Sequence, residues 1–237
     1  MSVLSFVLDN PALSPLRVIW WNVTTKLLAQ KDVALIPLGD IPHRAEIYRR
    51  CREVRKETGM LLTDAEAYNV QATAGRTAKV AGDIAELGVY RGGTARLVCE
   101  VKGNRNLHLF DTWAGLPKST QFDERFQGGS FVASYEEVQS YLASYSGVHF
   151  HKGFFPDTAA GLEDLRFSFV HLDSDLYEST LSGLRWFYPR LNRGGVLISH
   201  DYYGPGDGVG KAFDEFFADK PECLVELSGT QVSFTKL

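Results

Sequence analysis

Hydrophobic and polar residues follow two different periods along most of the chain. From residue 84 onward, short apolar runs typical of buried strands alternate with longer stretches in which apolar residues recur every three or four positions. The short runs predict strands over 84–89, 107–111, 148–151, 166–173 and 195–199. The longer stretches predict helices over 93–102, 135–145, 176–188 and 209–218, with a short helix near 157–163. Because alternating strands and helices form a parallel sheet covered on both faces, the pattern predicts an α/β fold.

The C-terminal residues depart from this alternation. Two predicted strands, near 222–227 and 230–235, flank Ser228-Gly229, a pair typical of a hairpin turn. Such a hairpin adds an antiparallel strand to the sheet. We therefore expect a Rossmann-like, mostly parallel seven-stranded sheet with an antiparallel C-terminal strand and helices on both faces.

The N-terminal residues are organised differently. Prolines interrupt residues 1–60, which we interpret as a helical cap with loops that precedes the main domain at 61–237. After Thr63-Asp64, apolar residues on one face predict a helix from Ala65 to about Val80. The apolar run Val18-Ile19-Trp20-Trp21 is interpreted as core or dimer packing, with peripheral membrane contact as the alternative.

Composition narrows the class of protein. The 237 residues are 44% hydrophobic and 23% charged, which is ordinary for a globular protein. The net charge of −4 and the lack of a basic block argue against nucleic acid as a partner. Three cysteines, far apart in sequence, are typical of reduced thiols rather than of a disulfide framework or a zinc site.

The distribution of apolar residues bears on the compartment. No apolar run approaches the roughly 20 residues that span a bilayer. Asp9 and Pro11 interrupt the first apolar run, so a signal peptide is not expected. We therefore expect a cytoplasmic protein without a transmembrane segment, and leave open whether it is a homo-oligomer.

The junction between the first predicted strand and helix carries a chemical signal. Residues 83–97 read D-I-A-E-L-G-V-Y-R-G-G-T-A-R-L, so an acidic residue near the strand end precedes a glycine turn and a helix. Such a turn lets backbone N–H groups approach a bound anionic group, and the helix dipole adds partial positive charge. The pattern E-x-G-x-x-x-G-G does not fit the dinucleotide fingerprint, which disfavours a nicotinamide-dependent oxidoreductase. It resembles the first motif of class I methyltransferases, which bind S-adenosylmethionine at this loop.

Acidic residues stand where other predicted strands end. Asp111 ends the second strand about twenty positions after the glycine turn, where a carboxylate can accept hydrogen bonds from ribose hydroxyls; the alternative is a loop cap. Asp173 and Asp175 follow the fourth strand, and like charges so close repel unless a cation intervenes. Asp175 alone has a second interpretation, as the N-cap of the helix from Leu176. Because ligands bind at the carboxyl edge of such sheets, we expect these groups to lie together.

The fifth strand ends in His200-Asp201 and brings a further acidic residue to the same edge. Asp173, His200 and Asp201 form a candidate metal site, and carboxylates with water suit magnesium or manganese. A single histidine at such a position is more often a loop residue than a ligand.

Several motifs in a fixed order make the resemblance specific. Together they are similar to the macrocin O-methyltransferase family of class I S-adenosylmethionine-dependent methyltransferases, over roughly residues 60–237. The motifs lie at 86–93, 110–117, 152–158 and 171–180, with Gly194-Gly195 and Asp201-Tyr202. That family methylates sugar or phenolic hydroxyls on antibiotic and related glycosides. The resemblance implies a small glycoside or other sugar-containing acceptor, from natural-product or cell-surface glycan chemistry.

The resemblance also implies roles for individual residues. Asp175 would be the general base, and Asp173 would serve both catalysis and cofactor binding. Asp173 and Asp201 would be metal ligands, with His200 as a third. The residues expected to bind the cofactor are Glu86, Gly88, Tyr90, Arg91, Gly92, Thr94, Asp111, Thr112, Gly153, Phe154 and Asp173.

One departure from the family pattern keeps alternatives open. The family usually has two consecutive aspartates where this chain has His200-Asp201, which removes a negative charge and puts the requirement for magnesium in doubt. The alternatives are a catalytically silent protein that binds S-adenosylmethionine, and a metal-independent methyltransferase with a phenolic acceptor. The long loop over 112–134 is interpreted as a lid that excludes water. Tyr48, Tyr202 and Tyr203 are candidate walls for the acceptor.

Overall fold

A computed structural model describes residue 23 and residues 42–118, 121–123, 127–203 and 208–237. The chain divides into two compact units, residues 1–45 and 46–237. The first unit is described at Val23 and 42–45 only, so Trp20 and Trp21 lie outside the described residues. A helical cap over 1–60 and a domain boundary at residue 61 stay predictions.

The second unit contains the sheet, built from strands that alternate with helices. Its order is β3-β2-β1-β4-β5-β7-β6. The helices and strands are α1 (Pro42–Thr58), α2 (Asp64–Arg76), β1 (Asp83–Leu87), α3 (Gly93–Cys99), β2 (Leu107–Asp111), α4 (Tyr135–Leu142), β3 (Val148–Lys152), β4 (Phe167–Leu172), α5 (Tyr177–Phe187), β5 (Leu191–Ser199), α6 (Gly208–Phe217), β6 (Val225–Glu226) and β7 (Val232–Thr235). Short 3₁₀ turns lie at Thr77–Lys79, Asp157–Ala159 and Tyr188–Arg190.

The predicted fold class is confirmed. The five strands β1 to β5 pair in parallel, and β7 pairs antiparallel with both β5 and β6. The short helix expected near 157–163 is only the 3₁₀ turn at Asp157–Ala159. None of the helices in the described part of the chain is long and apolar enough to cross a membrane.

Side chains that alternate along the strands divide the core between the two faces of the sheet. Ile84 and Phe169 pack on one face with buried residues of α1, α2 and α3. Ala85 and Val170 point to the other face and pack with residues of α5 and α6. All six residues of β4 are buried, as expected for a central parallel strand covered on both sides.

The strand order reverses between β1 and β4, and this reversal determines where the crevice of the candidate site lies. Leu87, at the end of β1, pairs with Phe110 of β2 and with Leu172 of β4. The carboxyl ends of these three strands therefore meet at one edge. A crevice forms at such a reversal because the connections leave the two strands on opposite faces of the sheet.

Three histidines stack at the β2–β3 side of the sheet. The His108 ring lies 4.9 Å from that of His149 and 5.4 Å from that of His151. The His151 ring also stacks on Phe110 at 4.4 Å. Burial lowers the pKa of His151 to about 4 and lowers that of His108, so both rings are neutral in the folded protein at neutral pH.

This stack makes a prediction about acid stability. A histidine whose pKa is depressed on folding has no effect above its ordinary pKa of 6.5, where both states are neutral. As the pH falls from 6.5 to about 4, the unfolded chain takes up the proton first, and stability is lost. We expect His151→Gln to flatten the curve of urea unfolding midpoint against pH in that window. His43→Gln, at an exposed position outside the stack, is the control. Parallel curves for wild type and His151→Gln would contradict the prediction.

Candidate active site

A cleft of about 290 Å³ opens at the carboxyl edge of the sheet. Most of the residues predicted to bind the cofactor line it, namely Gly88, Tyr90, Arg91, Thr94, Asp111, Thr112, Gly153, Phe154 and Asp173. Asp175, His200 and Asp201 line the same cleft. The tertiary structure thus brings together residues that the sequence places at the ends of five strands, while their individual roles stay predictions.

Glu86 and Gly92 are not among the lining residues. Glu86 is 1% exposed, and one carboxylate oxygen accepts hydrogen bonds from the Thr94 hydroxyl and, at 2.9 Å, from Nδ1 of His171. Burial raises the pKa of Glu86. Gly92 precedes α3 with a φ of 75°, and an added Cβ there would lie 3.0 Å from Val138 Cγ1. Both residues therefore support the glycine turn on the side that faces away from the cleft.

Asp111 ties the glycine turn to the end of β2. Its Oδ2 accepts hydrogen bonds from the backbone N–H groups of Val89 (2.7 Å) and Tyr90 (2.8 Å). Its Oδ1 accepts one from Trp113 N at 2.7 Å. An ionised carboxylate offers about four lone-pair sites, so Asp111 retains acceptor capacity toward the cleft that it lines. The two interpretations of Asp111, loop cap and ribose acceptor, are compatible.

Gly88 allows the ends of β1 and β4 to meet. Its φ is +88°, and an added Cβ would lie 1.7 Å from the carbonyl oxygen of Asp173. The neighbouring Asp173 N–H donates to Leu87 O at 2.8 Å. A side chain at this position would therefore collide with the backbone on which Asp173 stands.

Two aspartates at the cleft have left-handed backbone conformations. The φ of Asp175 is 59° and that of Asp201 is 60°. Non-glycine residues adopt this region only where the surroundings enforce it, and such strain clusters at functional sites. Burial raises the pKa of Asp175 well above its usual value, and the carboxylates of Asp173 and Asp201 raise it further. Asp175 therefore has a higher proton affinity than an ordinary aspartate.

The alternative interpretation of Asp175 as a helix cap does not describe the start of α5. The N-cap of α5 is Leu176, which makes no side-chain capping bond. The backbone N–H of Tyr177 instead donates to Oδ1 of Asp123, at 2.9 Å. Asp123 belongs to the loop after β2 and is buried. The carboxylate of Asp175 is thus available to the cleft.

His200 is surrounded by carboxylates. Its Nδ1 lies 3.2 Å from Asp173 Oδ1 and 3.2 Å from Asp201 Oδ2. Its Nε2 lies 3.4 Å from Glu66 Oε1. Burial lowers the pKa of His200, but these three carboxylates outweigh burial and raise it far above its usual value. His200 in turn holds the pKa of Asp173 low, against the effect of burial.

The residues of the predicted magnesium site lie close together, but their donor atoms do not suit the ion. Asp173, His200 and Asp201 offer ligand atoms within 4.8 Å of one another. A ligating histidine must present a lone pair, yet both ring nitrogens of His200 face carboxylate oxygens. Magnesium also prefers oxygen ligands. This arrangement does not fit a magnesium ion, and we derive no step from one.

Glu66, which lies beside His200, is a residue of the candidate site that the sequence interpretation overlooked. Its Oε2 accepts from the backbone N–H of Thr63 at 2.8 Å, while its Oε1 accepts from Thr230 N at 2.9 Å. The signal was the capping box Thr63-Asp64-Ala65-Glu66, which fixes a glutamate at the start of α2. The cleft is also lined by residues that were not among the predicted site residues, including Met60, Leu61, Leu62, Leu116, Pro117, Ser174 and Ser179.

The loop after β2 forms one wall of the cleft. Leu116 N donates to Ser130 O at 2.8 Å, and Gly129 N donates to Leu116 O at 2.8 Å, so the two ends of the loop are held together. Phe131, from the returning end, lines the cleft. Residues 119–120 and 124–126, Phe126 among them, lie outside the described residues. A role as a closing lid stays a prediction.

The three tyrosines proposed as acceptor walls are not among the residues that line the cleft, and their role stays a prediction. The Tyr48 ring packs 5.1 Å from that of Tyr68. The hydroxyls of Tyr202 and Tyr203 donate to Asp214 (3.0 Å) and Glu226 (2.5 Å). The apolar rim instead includes Leu61 and Phe154, which are 60% and 50% exposed.

Comparison with known families gives a match over most of the second unit. The family described as Macrocin-O-methyltransferase (TylF) matches residues 66–229, well over half of the chain. The match includes the glycine turn and the acidic strand ends that line the cleft.

Curated relatives and solved structures agree with this match. The chain is 34% identical over 140 residues to an 8-demethyl-8-(2,3-dimethoxy-alpha-L-rhamnosyl)-tetracenomycin-C 4'-O-methyltransferase of Streptomyces olivaceus, covering 52% of this chain and 54% of the relative. It is 31% identical over 145 residues to a mycinamicin III 3''-O-methyltransferase of Micromonospora griseorubida, covering 53% and 57%. The chain thus spans about half the length of the curated relatives it matches. The O-methyltransferase NovP superposes with a TM-score of 0.67 at 25% identity, over 75% of this chain and 81% of NovP.

Proposed function

The chain belongs to the macrocin O-methyltransferase family, and from that premise we propose that it transfers a methyl group from S-adenosylmethionine to a hydroxyl of a sugar or glycoside. The observation that carries the proposal is the cleft at the carboxyl edge, which gathers the glycine turn, Asp111 and Asp175 in about 290 Å³. Class I folds bind their ligands at this edge.

The walls of the cleft fit the cofactor in shape and charge. At Gly88 there is no room for a Cβ, so backbone forms the floor of the turn. Asp111 presents acceptor oxygens suited to ribose hydroxyls, and the half-exposed Phe154 offers an apolar face. Asp173 and Asp175 give the cleft a negative field, which favours a cationic ligand. When bound, S-adenosylmethionine supplies an electrophilic methyl group on its sulfonium.

Asp175 is the proposed general base. A hydroxyl is a weak nucleophile at neutral pH and must lose its proton as it attacks. The carboxylate of Asp175 accepts that proton while the oxygen–carbon bond forms and the sulfur–carbon bond breaks, and later releases it to solvent. A carboxyl whose pKa is raised above its usual value suits this task, and a general base contributes roughly 10²–10⁴ in rate.

The acceptor class rests on the relatives' names and on the rim. The relatives from Streptomyces olivaceus and Micromonospora griseorubida are named for O-methylation of a rhamnosyl-tetracenomycin and of mycinamicin III. In this chain, Leu61 and Phe154 expose apolar surface at the mouth of the cleft. Such surface suits the carbon face of a deoxysugar and an attached apolar aglycone. We therefore propose a natural-product glycoside as the acceptor.

The test combines cofactor binding with methyl transfer. The wild-type protein should bind S-adenosylmethionine in calorimetry and convert it to S-adenosylhomocysteine in step with methylation of a deoxysugar glycoside. Asp111→Asn should weaken cofactor binding at least about tenfold, because a hydrogen bond to a charged group is worth roughly 1.5–3 kcal/mol. Thermal unfolding of both proteins controls for damage to the turn.

Each alternative has its own outcome in this assay. Cofactor binding with no transfer to sugars or phenols would favour the catalytically silent protein. Transfer to phenolic acceptors alone would favour the phenolic methyltransferase. Equal cofactor affinity in wild type and Asp111→Asn would mean that Asp111 is only a loop cap.

A further inference from the structure

The side chain of His200 lies at the centre of the acidic part of the cleft. Its side chain is 15% exposed, and the carboxylates around it come from three elements: Glu66 from α2, Asp173 from the end of β4 and Asp201 from the end of β5. Asp175 lines the same cleft. This part of the cleft therefore combines four acidic side chains with the one imidazole ring of His200.

The geometry decides which form of His200 is compatible with these neighbours. A neutral imidazole has one N–H and one lone pair, whereas a carboxylate is an acceptor only. With carboxylate oxygens 3.2 Å from Nδ1 and 3.4 Å from Nε2, a neutral ring would leave an unprotonated nitrogen beside a carboxylate on one side, where two lone pairs repel. The doubly protonated ring places positive charge beside the carboxylates on both sides. The imidazolium is therefore the form that this site holds.

Hydrogen bonds hold the carboxylate of Glu66 and the backbone of Asp173 and Asp201. Glu66 accepts from Thr230 N at 2.9 Å, and the backbone N–H of Asp201 donates to the Thr230 hydroxyl at 3.2 Å. Asp173 N donates to Leu87 O at 2.8 Å. The backbone positions from which Asp173 and Asp201 extend are thus fixed, and Nδ1 of His200 lies 3.2 Å from a carboxylate oxygen of each.

A protonated His200 supplies the same charge that an aspartate and a bound divalent cation would supply together. Where the family pattern has an aspartate in place of His200, that aspartate and a bound divalent cation together carry +1. A protonated histidine carries the same +1 in one side chain. It offsets one of the two negative charges of Asp173 and Asp201, as the aspartate and cation together would, and presents no lone pair to a metal.

We propose that the imidazolium of His200 is the resident cation of this active site, a positioning residue that holds the carboxylates of Asp173 and Asp201 in place and makes divalent metal unnecessary. The part of the inference that concerns turnover without metal rests on the proposed methyl transfer. Its structural part, that the site binds no divalent ion until His200 is replaced, stands independently.

The test compares wild type with His200→Asp and with His200→Asn. Mn²⁺ binding is measured by paramagnetic resonance and calorimetry without cofactor, and transfer is assayed in excess EDTA and in excess Mg²⁺. Wild type should show no saturable Mn²⁺ site and equal turnover in both media. His200→Asp should acquire a Mn²⁺ site, since carboxylate oxygens suit hard cations, and Mg²⁺ should stimulate its turnover at least about tenfold.

His200→Asn is the matched control, of the same size as His200→Asp but neutral. It should bind no Mn²⁺, and turnover should stay low in both media. Thermal unfolding with and without Mn²⁺ reports on folding, because an ion that binds only the native state raises its stability. We expect Mn²⁺ to stabilise His200→Asp alone.

Two results would overturn the inference. One is a saturable Mn²⁺ site in wild type, and the other is loss of wild-type transfer in EDTA with recovery in Mg²⁺. Both measurements use the wild-type protein, so they test the inference even if the variants fold poorly. Absence of transfer by wild type in every medium would refute the proposed function, while the Mn²⁺ titrations would still test the role of His200.

Discussion

Asp175→Asn is expected to lower turnover at least about a hundredfold and to leave the affinity for S-adenosylmethionine nearly unchanged. The amide has almost the same shape as the carboxyl group but does not take up a proton. Stability should stay equal or rise, because burial and the neighbouring Asp173 and Asp201 raise the pKa of Asp175 and so disfavour its ionised form. Steady-state kinetics, calorimetry and thermal unfolding measure the three quantities.

The matched control is Asp123→Asn. Asp123 accepts the Tyr177 N–H at the start of α5, so its replacement should lower the unfolding temperature and affect turnover much less. If Asp175→Asn instead lowers stability and spares turnover, Asp175 has a structural role and the base lies elsewhere.

The pH dependence of turnover gives a second measure of the same role. Asp175 must be ionised to accept the proton, so turnover should rise with pH through its raised pKa and then level off. The residual activity of Asp175→Asn should lack that rise. An unchanged pH profile in the variant would assign the rise to another group.

Gly88→Ala is expected to have the largest effect on stability. Its Cβ would lie 1.7 Å from the carbonyl oxygen of Asp173, and its φ of +88° disfavours any side chain. The added Cβ is fixed by the backbone of residue 88, and the oxygen it meets belongs to the backbone of Asp173. Relief therefore requires the ends of β1 and β4 to separate. We expect a loss of more than about 4 kcal/mol in the free energy of unfolding, or no soluble protein. Urea unfolding measures it.

Gly103→Ala is the control that distinguishes the two causes of destabilisation in Gly88→Ala, the steric collision and the strain of a positive φ. Gly103 also has a positive φ, +60°, but an added Cβ there meets nothing within 4 Å. The expected loss is about 1–2 kcal/mol, the strain of a left-handed alanine. Similar losses in the two variants would mean that the ends of β1 and β4 accommodate a side chain.

The sequence was sufficient to predict the order of elements and the edge on which the site lies. Period-two and period-3.6 patterns are local, and the run Phe167–Leu172, buried on both faces, reveals a central strand without any knowledge of its partners. The carboxyl ends of parallel strands share an edge, so Asp111, Asp173 and Asp201 had to converge.

Residue roles were harder to predict where they depend on register. Glu86 stands in the glycine motif, yet pairing of β1 with β4 sets it opposite His171, and the two side chains bury one another. Asp175 was open to interpretation as a helix cap until the loop after β2 brought Asp123 to Tyr177. Neither partner is local in the chain.

By itself the sequence determined the α/β architecture, the glycine turn and the acidic strand ends, because these depend on local periodicity and residue chemistry. The resemblance to the family pattern also indicated that His200 stands where an aspartate is usual. Only the tertiary structure brought Glu66 of α2 to the far nitrogen of that ring, 3.4 Å away, and the proposed protonation of His200 depends on that contact. The protonation of an imidazole depends on which groups face both nitrogens, and folding, rather than sequence neighbourhood, selects them.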